Sequence, residues 1–294
     1  MNTKKFAGFI MTYNRNDILC NMIETLFKQT YAPQKLLIID CASNDATKQL
    51  IEAKNDARLQ YYDMQYNAGP AGASRKGLQL LAEQGYDFIY WGDDDDPPFF
   101  EDTFERLMRI YEQEDGVGCV GSVGHTLNKR NGSLVRMETS AIKSTRYLPV
   151  DTIGGGMSMI IKTEVILKNI LPDDKLFFGF EELDFHLSMQ RHGYKIVVDS
   201  ALFLQLREKF NRLEKSPFKR RKIDKHKLKR EYYSLRNLLY IYKKNKLRRA
   251  ALALFIRKTG KTVTSFKYGL GYGVTSAKFY CLAIFHFVIG KMNQ

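Results

Sequence analysis

Four consecutive carboxylates, Asp93 to Asp96, follow the apolar run Phe88-Ile89-Tyr90-Trp91 and stop at Pro97-Pro98. Like charges packed this closely repel one another, so a folded chain gathers them where a cation shares the charge. At the end of a strand in an α/β enzyme, such a cluster suits a divalent metal and an anionic ligand. A second acidic group, Glu181-Glu182-Leu183-Asp184, follows Phe177-Phe178-Gly179-Phe180 and opens a helix that ends at Gly193, a favourable C′ residue.

The elements that must hold these groups alternate between strand and helix. Phe6 to Met11 reads as a buried strand leading into the loop Thr12-Tyr13-Asn14-Arg15. Asn16 or Asp17 then caps a helix whose pairs Ile18/Leu19, Met22/Ile23 and Leu26/Phe27 recur every four residues. Leu36 to Ile39 forms a second strand ending at Asp40, and Ser43-Asn44-Asp45 caps the next helix, which runs to about Lys54. Leu59 to Tyr62 is a short third strand, the turn Asn67-Ala68-Gly69-Pro70 leads into another helix, and Phe88 to Trp91 is the fourth strand. Such alternation implies parallel pairing with right-handed crossovers, and ligands of these sheets sit beyond the carboxyl ends of the strands. Thr12-Tyr13, Asp40, Asn67 and Asp93 to Asp96 all fall there, so four loops converge on one crevice. Further along, Gly154-Gly155-Gly156 precedes a strand from Met157 to Ile161, and Tyr194, Ile196 and Val198 alternate as a last strand. Leu228, Tyr232, Leu235, Leu239 and Tyr242 mark one face of an amphipathic helix.

The 294 residues, 44% hydrophobic and 27% charged, have an ordinary soluble composition and can bury one large core with or without an appendage. Their net charge of +14 is uneven: Arg207 to Lys261 holds 21 Lys and Arg against four Asp and Glu, leaving the remainder slightly acidic. A region of that kind attracts nucleic acid or an anionic membrane surface, or is simply a solvated basic face. Cys20, Cys41, Cys119 and Cys281 form no C-x-x-C pair and the five histidines show no ligand spacing, which argues against structural zinc and a disulfide framework. Met1 to Lys5 carries no apolar signal region, so a cytoplasmic location is expected. The run Phe279 to Ile289, interrupted by His286, is too short to span a bilayer and leaves peripheral contact as the expected mode.

Five motifs in order carry a resemblance to the family 2 glycosyltransferases with a GT-A fold. They are Thr12-Tyr13-Asn14-Arg15, Ile39-Asp40-Cys41-Ala42-Ser43-Asn44-Asp45, Asn67-Ala68-Gly69-Pro70-Ala71-Gly72-Ala73-Ser74-Arg75, Trp91-Gly92-Asp93-Asp94-Asp95 with Pro98, and Phe180-Glu181-Glu182-Leu183-Asp184. The resemblance spans Phe6 to Leu206 and is nearest to bacterial polysaccharide enzymes that transfer rhamnosyl, galactofuranosyl or related sugars. It implies an α/β, Rossmann-like, mostly parallel sheet with flanking helices over residues 1–209, followed by a basic amphipathic helical region over 210–294.

The resemblance also implies roles. In the family's D-x-D pattern the outer carboxylates face the metal and ribose, here Asp93 and Asp95, with Asp94 nearer the sugar; Asp94 and Asp96 offer a second register. Mn²⁺ or Mg²⁺ is the implied cofactor, bound by one or two carboxylates and the donor's phosphates. Asp40 meets the base or ribose and Tyr13 stacks on the base. Thr12, Arg15, Asn67 and Gly69 add donor contacts, and Arg75 brings positive charge to the diphosphate. Glu182 aligns with the base that deprotonates the acceptor, and Glu181 is the alternative. One departure stands out: where the family often carries a metal-site histidine, after Ala201-Leu202-Phe203-Leu204, this chain has Gln205. His186 is read as a packing residue. Gly154-Gly155-Gly156 either borders the acceptor or is a tight turn. Tyr232-Tyr233-Ser234-Leu235-Arg236-Asn237 resembles a segment of relatives acting on lipid-linked glycans, and Lys219-Arg220-Arg221-Lys222 suits an anionic leaflet.

The expected activity is therefore an inverting, metal-dependent transfer of a sugar from a UDP- or dTDP-sugar to a hydroxyl of a lipid-linked bacterial surface glycan. It would take place at the cytoplasmic face of the inner membrane, with a homo-oligomer through the C-terminal helices as a further possibility. The rival from another class is a basic nucleic-acid-binding protein on an α/β scaffold, and nucleic acid is not the expected partner because an acidic mouth repels phosphate chains. A two-carboxylate glycoside hydrolase and a catalytically silent nucleotide-sugar binder complete the alternatives.

Overall fold

The computed structural model describes residues 4–43, 46–154, 157–214, 224 and 227–292. The first half runs β1 (Phe6–Thr12), α1 (Asn16–Phe27), β2 (Lys35–Asp40), α2 (Thr47–Ala53), β3 (Leu59–Asp63), α3 (Gly69–Glu83), β4 (Phe88–Asp93), α4 (Thr103–Gln113) and β5 (Val117–Gly121). The middle is more broken: β6 (Gly124–Leu127), β7 (Leu134–Arg136), α5 (Thr139–Lys143), β8 (Tyr147–Pro149), β9 (Thr152–Ile153), β10 (Met159–Lys162) and α6 (Thr163–Leu167). Then come α7 (Glu181–Arg191), β11 (Lys195–Asp199), α8 (Ser200–Lys209), α9 (Leu228–Lys244), α10 (Arg248–Ser265) and α11 (Leu270–Val288).

Eight strands form one sheet in the order β3-β2-β1-β4-β10-β5-β11-β8, and β7-β6-β9 form a small second one. The strands β1 to β4 are parallel as the alternation requires, while β10 runs antiparallel between β4 and β5, and β8 antiparallel on the far edge. Register levels the chemistry: Thr12 pairs with Asp40, Asp40 with Asp63, and Met11 with Asp93. These residues therefore share one edge.

Every residue of β1 is buried because helices cover both faces. Phe9 and Trp91 pack with Leu78 and Leu81 of α3 and Phe185 and Met189 of α7. Ile10 and Tyr90 point the other way, onto Leu19 and Met22 of α1 and Phe104 and Leu107 of α4. The same two-sided cover corrects the expected alternation in the last strand: Val197 is as buried as Ile196 and Val198. The strand expected from Met157 begins at Met159, after a turn closed by the Met157 N–H on the Gly154 carbonyl. Gly155 and Gly156 lie outside the described residues.

Two expected caps are also corrected. Arg15 and Ala46 occupy the N-cap positions of α1 and α2, and neither side chain caps. Asn16 is already helical, and the Ser43 hydroxyl donates to Asp40 instead. Asn44 and Asp45 are outside the described residues, as is Lys219 to Lys222.

The face of α9 read from the sequence is its core face. Leu228, Tyr232, Leu235, Leu239 and Tyr242 are buried in a cluster with Ala71 of α3, Leu127 of β6 and Leu183 and Leu187 of α7. The helices α10 and α11 pack against α9 in turn. Among the described residues no helix is long and apolar enough to cross a membrane.

Candidate active site

The ends of β1 and β4 are joined through the acidic run. The Thr12 hydroxyl donates to Asp94 Oδ2 at 2.8 Å, and Arg15 Nη1 donates to Asp94 Oδ1 at 3.0 Å and Asp95 Oδ2 at 2.6 Å. Asp94 is buried, and burial raises its pKa despite Thr12 and Arg15. Burial, and then Asp95, also raises Asp96. Among the described residues Asp93 pairs with no such cation. Its carboxyl is pushed up to about 7 by burial first, then by Glu182, Asp95, Asp96 and Asp94. Burial and the neighbouring carboxylates both disfavour its charged form, which a nearby cation would favour.

Asp40 is buried, and both of its oxygens accept hydrogen bonds. Oδ1 accepts from the Ser43 N–H at 2.9 Å and hydroxyl at 2.5 Å, and Oδ2 accepts from the Tyr61 hydroxyl at 2.7 Å. Ser43 Oγ also accepts the Asn14 N–H, which ties the loops after β1 and β2 together. Tyr13 is exposed at the same mouth.

Glu181 and Glu182 open α7, and Glu182 lies near enough to Asp93 to act on it electrostatically. Glu181 is buried, its Oε2 has no partner among the described residues, and burial followed by Glu182 and Asp93 pushes its pKa well up. Glu182 is only partly buried.

The loop ahead of α7 is strained and braced. Phe177 and Phe180 sit at φ of 59° and 70°, in the left-handed region that costs a non-glycine residue roughly 1–3 kcal/mol. The amide of Asn237 on α9 donates to the carbonyls of Leu176, Phe178 and Gly179 at 2.9, 3.0 and 2.9 Å, and Arg236 Nη2 donates to Leu176 at 3.1 Å. Both side chains are buried. The Tyr232-to-Asn237 segment thus fixes the backbone that aims Glu182. The sequence flagged this segment by resemblance only, since nothing local ties Asn237 to residues about sixty positions earlier.

Gly69 packs on the same loop. At φ +64° a Cβ there would stand 2.3 Å from the Phe177 carbonyl oxygen, so only glycine lets α3 approach. Asn67 Oδ1 accepts the Gly69 N–H at 3.0 Å, and Arg75 Nη1 donates to the Pro172 carbonyl at 2.9 Å. Gln205 accepts from Arg106 Nη1 at 2.7 Å on the exposed side of α8. His186 is a packing residue as expected: fully buried, bonded through Nδ1 to Thr152 and pushed down to about 3 by burial.

No three His, Cys, Asp or Glu side chains close on one point among the described residues. The donor set is nonetheless hard oxygen, with the uncompensated Asp93 and the partnerless Glu181 Oε2 beside it. Mg²⁺ and Mn²⁺ favour oxygen ligands, and Mg²⁺ commonly takes only one or two carboxylates and completes its shell with phosphates and water. The residues fit such an ion held together with a diphosphate.

A row of acidic and polar residues on the carboxyl edge of this sheet, with an acidic helix start near it, is the architecture of GT-A glycosyltransferases. Solved structures bear out the fold: a mannosyltransferase from Pyrobaculum calidifontis in complex with GDP-Man and Mn²⁺ (TM-score 0.56, 13% identity, 99% of this chain and 89% of that one) and Staphylococcus aureus TarS 1–349 with UDP-GlcNAc (TM-score 0.59, 15% identity, 98% and 81%). Residues 9–165, over half the chain, match the model of glycosyl transferase family 2, and the chain belongs to that family. Among curated relatives, a GalNAc(5)-diNAcBac-PP-undecaprenol beta-1,3-glucosyltransferase of Campylobacter jejuni is 26% identical over 133 residues, 44% of this chain and 40% of that protein. The UDP-Glc:alpha-D-GlcNAc-diphosphoundecaprenol beta-1,3-glucosyltransferase WfgD of Escherichia coli is 32% identical over 85 residues, 29% and 32% of the two chains. The chain spans less than half the length of these relatives.

Proposed function

We propose that this protein is an inverting glycosyltransferase that moves a sugar from a nucleotide diphosphate donor to a hydroxyl of a lipid-linked bacterial glycan. The observation that carries the reading is the row of Thr12, Asp40 and Asp93 on one edge of a family 2 sheet, with Glu181 and Glu182 opening α7 near Asp93. Asp93 and Asp95 would hold Mn²⁺ or Mg²⁺; Asp94 is tied through both oxygens, to Thr12 and Arg15, whereas Asp95 has one oxygen on Arg15 and one left for a metal. A bound metal supplies Lewis-acid stabilisation of the departing diphosphate. Tyr13 stacks on the base, and Asp40 meets the nucleoside with the lone pairs that Ser43 and Tyr61 leave open.

Glu182 takes the proton of the acceptor hydroxyl while that oxygen attacks the anomeric carbon from the face opposite the diphosphate. The new carbon–oxygen bond forms as the bond to phosphate breaks. Glu181 is a poor base, because its burial favours the protonated form. A lipid-linked acceptor is supported by the names of the Campylobacter and Escherichia relatives, both of which specify undecaprenol diphosphate carriers. Calorimetry tests the donor half: UDP or dTDP should bind with Mn²⁺ or Mg²⁺ present and far more weakly with EDTA. Absence of binding with either metal would overturn the reading.

The C-terminal helices suit the cytoplasmic leaflet. On α10, Leu252, Ile256 and Val263 are exposed, and on α11 so are Leu270, Val274, Phe285 and Val288, at helical spacings that form one stripe on each helix. Arg248, Arg249, Arg257, Lys261, Lys267 and Lys278 are exposed on the same two helices and their connection. Apolar stripes edged by basic residues fit an anionic bilayer surface, at about 1 kcal/mol per basic residue near it. The protein should sediment with vesicles containing anionic lipid, lose that association at high salt, and lose it in a Leu252→Asp/Leu270→Asp variant. A protein that ignores vesicles and runs as a dimer would assign the stripes to a second copy instead.

A further inference from the structure

Beside the acidic mouth lies a second, chemically opposite space. A cavity of about 400 Å³ opens between the end of β5, the β6–β7 hairpin and α8. Its walls carry His125, Arg136, Arg207 and Arg212, with Phe99 and Phe210 stacked edge to face at 4.8 Å. Asp96, next in sequence to Asp95 of the mouth, lines it, and so does Ser158, next to the Met159–Trp91 pair of β10 and β4. The cavity therefore lies on the β5 side of β4, opposite the nucleoside side at β1 and β2.

Among the described residues, Arg136 and Arg207 have neutral protein partners and no ionic ones. Arg207 is buried, and its guanidinium donates to the Met137 carbonyl at 2.6 Å and the Thr139 hydroxyl at 3.0 Å. Arg136 donates to the carbonyls of Arg212 and Glu214. Neither arginine joins a carboxylate in the ion pairs of the described residues. Burial, and then the like charge of Arg136, pull Arg207 down to about 10, with Glu138 acting in the other direction. The same two arginines and burial lower the His125 pKa. A buried guanidinium facing a like charge, with neutral acceptors alone, is an expensive arrangement unless an anion completes it.

Resting on the glycosyltransferase reading, we infer that this cavity is an acceptor subsite. Arg207, Arg136 and His125 would there bind an anionic group, phosphate, diphosphate or carboxylate, carried by the acceptor near its reacting hydroxyl. The aromatic rings of Phe99 and Phe210 give the adjoining apolar part of that acceptor a surface to lie on.

The test titrates the full chain, in EDTA, with three probes: inorganic phosphate, geranyl diphosphate and methyl glucuronide. At least one should bind, and Arg136→Gln and Arg207→Gln should each weaken it tenfold or more while UDP with Mn²⁺ binds as before. Preference for the diphosphate assigns the charge to the lipid carrier, and preference for the glucuronide assigns it to an acidic sugar. If Arg207→Gln does not fold, the less buried Arg136→Gln decides. The inference is overturned if no probe binds, if both folded variants bind as the wild type does, or if UDP with Mn²⁺ displaces the probe. Failure of the glycosyltransferase reading shows separately, as loss of UDP binding in the wild type.

Discussion

Glu182→Gln should lower the rate of sugar transfer by roughly 10²–10⁴-fold, the usual contribution of a general base, while leaving the fold and the affinity for nucleotide and metal unchanged. The amide keeps the size and the helix-start position of the carboxylate and removes only its capacity to take a proton. Partial exposure at the first turn of α7 makes Glu182 reachable by an acceptor, and the strained, Asn237-braced loop before it sets its direction. Glu181 cannot stand in, since burial and its two acidic neighbours favour its neutral form. Glu181→Gln should accordingly cost far less activity and leave stability equal or higher, because it replaces a buried, partnerless carboxyl oxygen. Single-turnover transfer from a radiolabelled donor, beside calorimetry with UDP and Mn²⁺, separates the two. Wild-type turnover by Glu182→Gln would remove it from the mechanism.

Much of this site was legible because strand ends are written locally. Apolar runs that stop at Thr12, Asp40 and Asp93 place those residues on one edge once the strands are parallel, and the in-register pairs fulfil that. The core face of α9 was legible for the same reason, since spacing alone defines it. What escaped is what depends on contacts remote in sequence. Ser43 has the chemistry of a cap, yet a carboxylate three residues earlier competes for its hydroxyl and wins. Arg15 donates to Asp94 and Asp95, some eighty residues away, a pairing with no local signal. The antiparallel insertion of β10 between β4 and β5 has no local signature, and neither does the convergence of His125, Arg136 and Arg207 on one cavity. A sequence shows which groups are charged; only folding shows which are left without a counterion.

Asp93→Asn should make the metal-free protein more stable and the liganded protein less so. Burial and four neighbouring carboxylates raise the Asp93 pKa from 3.8 to about 7, so the folded state holds that proton more tightly than the unfolded chain. Stability from this group is therefore intact at low pH and falls as pH rises from about 4 to about 7, after which the loss is constant. The cost at neutral pH is on the order of a few kcal/mol, enough to move a melting temperature by several degrees. Asparagine never ionises, so in EDTA the variant should melt with the wild type near pH 4 and above it at pH 7.5. With UDP and Mn²⁺ the order should reverse. A ligand that binds only the native state stabilises it by RT ln(1 + [L]/Kd), and the variant has lost the carboxylate proposed to secure the metal. Transfer should fall with it, by at least the hundredfold expected from losing charge stabilisation of the leaving group. Melting curves across pH, with EDTA and with UDP and Mn²⁺, read both halves at once. A variant that melts below the wild type in EDTA at pH 7.5 would contradict the strain assigned to Asp93, and one that gains as much from UDP and Mn²⁺ as the wild type would deny it the metal.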